Sequence, residues 1–72
     1  MAMMDAKAFG EKIRAERKRH GVTQMQLAAT ANTGTRFISE LEKGKPTTQL
    51  DKALRVAGLL GIRFVVPSAI EK

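Results

Sequence analysis

Residues 23–44, TQMQLAATANTGTRFISELEKG, constrain the fold more than any other stretch of this chain. They read as two short helices joined by a tight turn. Thr23 is a good N-cap and Gln26 follows three residues later, a capping-box spacing that satisfies two otherwise orphaned amide donors. Val22 and Leu27 fall at the N′ and N4 positions of a hydrophobic staple, which fixes how the chain enters the helix. Leu27, Ala28 and Ala31 share one face, and the two small alanines let a second helix cross closely. Asn32 stands where the chain must turn, and Asn tolerates left-handed backbone better than most residues other than Gly.

The second helix of the pair begins at Gly34 or Thr35. Phe37, Ile38 and Leu41, with Gly34, form an inward stripe at helical spacing. Thr35, Arg36, Ser39, Glu40 and Lys43 occupy the other side. Most are hydrogen-bonding side chains of medium length, which suits them to base edges in a major groove. Gly44 closes the helix and Pro46 stops any continuation. A merely solvated amphipathic pair has the same pattern, so periodicity alone leaves both readings open.

Two more helices and one strand account for the rest of the chain, without repeats. The first helix runs from Ala6 to His20, capped by Asp5, with Phe9 and Ile13 inward and Gly21 as its stop. Gly10 inside it costs about 1 kcal/mol relative to Ala, which close packing would explain. The fourth helix runs from Gln49 to Leu60, with Thr48 and Asp51 as a capping box and Leu50, Ala53, Leu54, Ala57 and Leu60 as its buried stripe. Gly61 ends it. The run IRFVV, residues 62–66, is rich in strand formers and is bounded by Gly61 and Pro67. A lone strand has no partner within its own chain, and an exposed apolar edge invites pairing with another copy. Ile62, Arg63, Phe64, Val65 and Val66 are therefore read as an antiparallel strand pair across a two-fold axis, the alternative being a loose apolar tail on its own monomer. The expected organisation is one domain over 1–72, with a helical core at 6–61 and a dimerisation strand at 62–66.

Composition excludes several functions. Seventy-two residues make one domain burying only about 60% of the unfolded chain's surface, so its own stability is modest. There is no cysteine, hence no disulfide framework and no thiolate metal site. No apolar run approaches the roughly 20 residues that span a bilayer, and the N-terminal residues do not read as a secretion signal. The expected location is the bacterial cytoplasm, at the nucleoid when bound to DNA. The single histidine, His20, has no second ligand or paired carboxylates beside it, Ser39 has no base partner, and no glycine-rich phosphate loop is present. The expectation is a non-enzyme with no cofactor and no metal. The net charge of +6 is uneven, with Lys12, Arg14, Arg17, Lys18 and Arg19 crowding the end of the first helix. Such a cluster either attracts phosphate or is a solvated helix face.

Gln24, Ala28, Asn32, Ile38, Leu41 and the ending Glu42-Lys43-Gly44 resemble the Cro and phage-repressor type of helix-turn-helix over residues 9–60. Asn32 replaces the usual turn glycine of that family, and Thr33 replaces a usual Val or Ile, placing a hydroxyl near the core. Within the family, FISELEKGKPT followed by a helix and LGIRFVV is most similar to HipB-type antitoxins. The resemblance implies a mainly α, four-helix, phage-repressor-like domain whose short C-terminal strand pairs across a dimer. It also implies a sequence-specific repressor bound to double-stranded DNA at a palindromic operator, which autoregulates its operon and holds a HipA-type kinase toxin. A plain phage-type repressor with no toxin partner is the alternative.

The resemblance assigns roles to individual residues. Thr35, Arg36, Ser39 and Glu40 lie in the half of the recognition helix that enters the major groove in this family. Arg36 suits a bidentate bond to guanine and Glu40 suits a cytosine amino group, unless Glu40 simply pairs with Arg36 four residues back. Gln24 matches the family's phosphate-binding position, and Lys43 and Lys45 flank Gly44 where they can reach the backbone. Arg17 falls on the inward stripe of the first helix, where an unpaired cation is costly. Glu42 matches the family residue that pairs with such an arginine, so an Arg17–Glu42 bridge is expected, against the alternative that both are exposed.

Overall fold

The computed structural model describes residues 5–47 and 49–62. Four helices are the regular elements among them: α1 (Ala6–Arg19), α2 (Gln24–Ala31), α3 (Thr35–Glu42) and α4 (Leu50–Leu59). The entries follow local chemistry. Asp5 caps α1 by accepting from the Ala8 amide at 2.8 Å. Thr23 caps α2 in a reciprocal box, its hydroxyl accepting from the Gln26 amide at 3.0 Å while its own amide donates to the Gln26 side chain at 2.8 Å. The box satisfies two of the amides that a helix start leaves open.

All four helices end in one way. An amide two or three residues past the last helical residue reaches back to a carbonyl five residues earlier: Val22 to Arg17, Thr33 to Ala28, Lys45 to Glu40 and Ile62 to Ala57. Each such Schellman closure needs a left-handed residue, here Gly21, Asn32, Gly44 and Gly61. Asn32, at φ 58° and ψ 51°, is the one non-glycine among them.

α3 packs against both α1 and α2, and α2 also packs against α4. The core holds Ile13 from α1, Leu27, Ala28 and Ala31 from α2, Ile38 and Leu41 from α3, and Ala53, Val56, Ala57 and Leu60 from the fourth helix and its cap. Phe9, Phe37 and Ile62 pack around its edge. Ile13, Ile38 and Val56 are fully enclosed, and truncating either isoleucine to Ala costs about 2–5 kcal/mol.

α1 and α3 touch backbone to backbone. A Cβ added at Gly10 would fall on the Leu41 carbonyl oxygen and lie 2.9 Å from that of Glu42. Gly44 sits against the first turn of α1, where a Cβ would lie 2.8 Å from the Cα of Lys7. The helix-propensity cost of Gly10 is thus tied to a contact that Ala cannot make.

The fourth helix departs from the sequence expectation in two ways. Leu50 and Leu54 are 63% and 54% exposed, whereas Val56, left out of the expected stripe, is buried. The buried set is Ala53, Val56, Ala57 and Leu60, an i, i+3, i+4, i+7 stripe rotated away from the expected one. Its N-cap is Gln49, with no side-chain cap, so the helix starts one residue later than expected; Thr48, the cap expected from sequence, lies outside the described residues. The expected strand at 62–66 lies outside them too, except for Ile62. That residue closes α4 instead, because its amide is taken by the Ala57 carbonyl at 2.9 Å.

Candidate nucleic-acid interface

The outer face of α3 is built from residues that its core stripe leaves over. With Ile38 and Leu41 turned inward, helical geometry puts Thr35, Arg36, Ser39, Glu40 and Lys43 on the other side. Thr35, Arg36 and Lys43 are exposed, and Ser39 and Glu40 are half-buried. Arg36 is wide open to solvent, its side chain 89% accessible.

Glu40 gathers the cations of this face. Its Oε2 accepts from Arg36 Nε at 3.2 Å and from Lys45 Nζ at 3.5 Å. The Schellman closure of α3 brings Lys45 there, its amide donating to the Glu40 carbonyl at 3.1 Å. The hydrogen bond from Arg36, aided by the Lys45 charge and opposed by partial burial, holds the Glu40 carboxyl below the usual range. Of the two alternatives for Glu40, the pairing with Arg36 is the one seen in the unbound chain.

Behind that face, Arg17 and Glu42 meet. Arg17 Nε donates to Glu42 Oε2 at 2.6 Å and Nη2 to Oε1 at 3.1 Å, while Nη1 donates to the Val22 carbonyl at 2.9 Å. The hydrogen bonds to Glu42 raise the Arg17 pKa further, against the opposing effect of burial. Gln24 adds a third donor, its amide nitrogen lying 3.1 Å from Glu42 Oε1. The ends of α1, α2 and α3 are thereby joined at one carboxylate whose side chain is 3% exposed. Gln24, assigned to phosphate by sequence, spends one amide proton on Glu42; the second has no partner among the described residues.

The basic cluster at the end of α1 is not one open patch. Glu16 holds Lys12 at 3.4 Å and Arg19 at 2.9 Å, and Arg17 is inside, which leaves Arg14 and Lys18 exposed with no ion pair among the described residues. The Arg19 hydrogen bond and the two charges keep the Glu16 carboxyl low, against desolvation.

Comparison with known proteins decides the family. Residues 13–66 match the helix-turn-helix family. Over 53 residues the chain is 46% identical to an HTH-type transcriptional regulator, y4mF, of Sinorhizobium fredii, a match covering 74% of this chain and 70% of that protein. Over 54 residues it is 37% identical to the immunity repressor protein of Bacillus phage phi105, covering 75% of this chain but 38% of that longer protein. This chain belongs to the phage-repressor type of helix-turn-helix proteins. That family consists of DNA-binding transcriptional regulators, and in its terms α2 and α3 are the helix pair and Asn32 is the turn residue.

Several bonds of this helix-turn-helix carry no signal in the sequence, and three of them join distant segments. Besides Gln24 to Glu42, His20 Nε2 lies 3.1 Å from the Leu60 carbonyl, and Arg55 Nη1 donates to the Ala31 carbonyl at 3.1 Å. The last two join chain segments 40 and 24 positions apart and satisfy carbonyls at the ends of α4 and α2. No local spacing rule points to either. Among the described residues no helix is long and apolar enough to cross a membrane, and no group of three or more His, Asp or Glu is placed to hold a metal ion.

Proposed function

We propose that this chain is a sequence-specific transcriptional repressor that lays α3 in the major groove of an operator. The observation that carries the reading is the outer face of α3: polar, uncovered by the rest of the fold and flanked by Lys43 and Lys45, on a helix anchored from behind through Glu42. Thr35, Arg36, Ser39 and Glu40 are the base-facing residues, with Arg36 suited to a guanine and Glu40 to a cytosine amino group. Gln24, Lys43 and Lys45 anchor the phosphate backbone and fix register without reading sequence. The phage relative's description as an immunity repressor favours repression over activation.

The repressor acts as a homodimer on a palindromic operator. Residues 63–66, following Ile62, whose amide closes α4, pair antiparallel between copies through Arg63, Phe64, Val65 and Val66, presenting two recognition helices about 34 Å apart. A second reading adds a toxin. The segment FISELEKGKPT with LGIRFVV supports a HipB-like antitoxin that autoregulates its operon and also binds a HipA-type kinase, whereas a plain repressor needs no such partner.

A gel shift with the DNA upstream of the chain's own gene tests the first reading, and repeating it with a co-purified neighbouring protein tests the second. Failure to retard that DNA, or any duplex selected from a random library, overturns the repressor. Retardation unchanged by the neighbour, with no complex between the two proteins, leaves the plain repressor. Sedimentation of a chain truncated after Gly61 tests the dimer, which should dissociate; persistence of the dimer with normal operator binding overturns strand pairing.

A further inference from the structure

Two of the three lysines and arginines nearest the recognition surface, Arg36 and Lys45, converge on one carboxylate, Glu40, at 3.2 and 3.5 Å. The third, Lys43, has no ion pair among the described residues. Glu40 is held on α3 itself, and its side chain is 34% exposed, open enough to face a ligand laid along the helix. A duplex brought to this face offers a base edge to Arg36 and phosphates to Lys45, and both compete with Glu40 for these cations. Once they leave, Glu40 stands as an uncompensated anion against the polyanion, where like charges repel and a desolvated carboxylate without a donor is penalised.

We propose that Glu40 is a specificity-determining residue of this surface, acting by penalty: it withholds Arg36 and Lys45 from DNA in general and releases them only where a base pair offers its carboxylate an amino group. Cytosine N4 and adenine N6 are the donors the major groove presents. Discrimination then comes chiefly from weakened binding to wrong sequences rather than from added attraction to the right one. The inference rests on the proposed placement of α3 in the groove.

The test uses the full chain and two charge-matched variants, Glu40→Gln and Glu11→Gln. Glu11 lies exposed on α1 with no ion pair among the described residues, so its replacement changes net charge equally without freeing a cation paired there. Each protein is titrated onto random-sequence duplex and onto the duplex that the parent selects from a random library, at several salt concentrations. Glu40→Gln should bind random duplex roughly tenfold more tightly, with a log–log salt slope steeper by about one or more. The ratio of selected to random affinity should fall by a similar factor, while thermal melting stays within a few degrees of the parent. Glu11→Gln should keep the parent's ratio. Equal effects of the two variants, or a Glu40→Gln chain that loses affinity for random and selected duplex alike, overturn the proposal while leaving the repressor reading intact. A parent that binds no duplex overturns the repressor reading and, with it, this one.

Discussion

Arg17 and Glu42 form a two-point fork across 25 positions of sequence, with Nε to Oε2 at 2.6 Å and Nη2 to Oε1 at 3.1 Å. The carboxylate side chain is 3% exposed and the guanidinium 11%, so neither charge has water to fall back on. Removing one partner of a buried pair costs about 3–5 kcal/mol, because the other is left uncompensated. Glu42→Ala should therefore melt far below the parent, by more than about 10 °C at the 4–8 °C per kcal/mol typical of so small a domain. Replacing both residues by apolar ones of similar size should restore most of the loss. A thermal melt of the two single variants and the double variant checks both statements.

Gly10 should resist the substitution that helix propensity favours. Ala gains about 1 kcal/mol in a helix interior, but its Cβ would overlap the Leu41 carbonyl, which is backbone and cannot turn aside. Forcing extra volume into a packed contact costs about 1–3 kcal/mol, so Gly10→Ala should destabilise on balance. Denaturant titration at constant m-value reads the sign directly.

Asn32 offers the opposite case. Its φ of 58° costs an ordinary L-residue about 1–2 kcal/mol, and Gly nothing in steric terms. Asn32→Gly should leave the unfolding midpoint close to the parent's, and Asn32→Val should lower it clearly. An equal response to both would show that the Asn side chain, rather than its backbone, is what matters at the turn.

On the DNA side, Arg36→Ala should relax the preference at one base pair by about 1–3 kcal/mol, whereas Lys45→Ala should weaken all sequences alike and flatten the salt slope by about one. Selection from a random duplex library, run for each variant, separates the two patterns.

Acid should erode the paired glutamates in a fixed order of events. The folded pKa values of Glu16 and Glu40 lie below their unfolded ones, so their contribution is complete above the usual carboxylate range, about pH 4.3. It is lost as pH falls through the lowered folded values. Both groups lie at the surface, so the effect is small. Between about pH 5 and pH 3 the denaturation midpoint of a Glu16→Gln, Glu40→Gln chain should fall less steeply than that of the parent. Parallel curves would mean that other carboxylates set the acid limb.

The legible parts of this protein are those whose cause lies within a few residues. Thr23 and Gln26 announce their box because both partners sit inside one turn, and Asn32 marks its own left-handed position. Leu27, Ala28, Ala31, Ile38 and Leu41 are legible because each helix has one apolar stripe. The fourth helix has apolar residues around most of its circumference: Leu50, Ala53, Leu54, Val56, Ala57 and Leu59, followed by Leu60. Periodicity then allows two stripes, and only packing against α2 chooses between them. At the candidate site, the polar side of α3 follows from its stripe, and Arg17 was conspicuous as a charge at an inward position. The third donor to Glu42 was not, because Gln24 is 18 positions away and carries no signal of burial. Glu40's second cation also stayed hidden, since Lys45 reaches it only through the chain reversal at Gly44.

Gly10 and Gly44 leave no slack between α1 and the tail end of α3, so at these two points main-chain atoms limit how closely the helices approach. Side chains elsewhere in the core can be exchanged for others of similar bulk, and the packing will readjust around them. This seam has no such freedom: a mutation there moves a whole helix or is not accommodated. The inner end of α3 therefore behaves as a fixed mount, and the outward residues from Thr35 to Lys43 can vary without moving the frame that carries them.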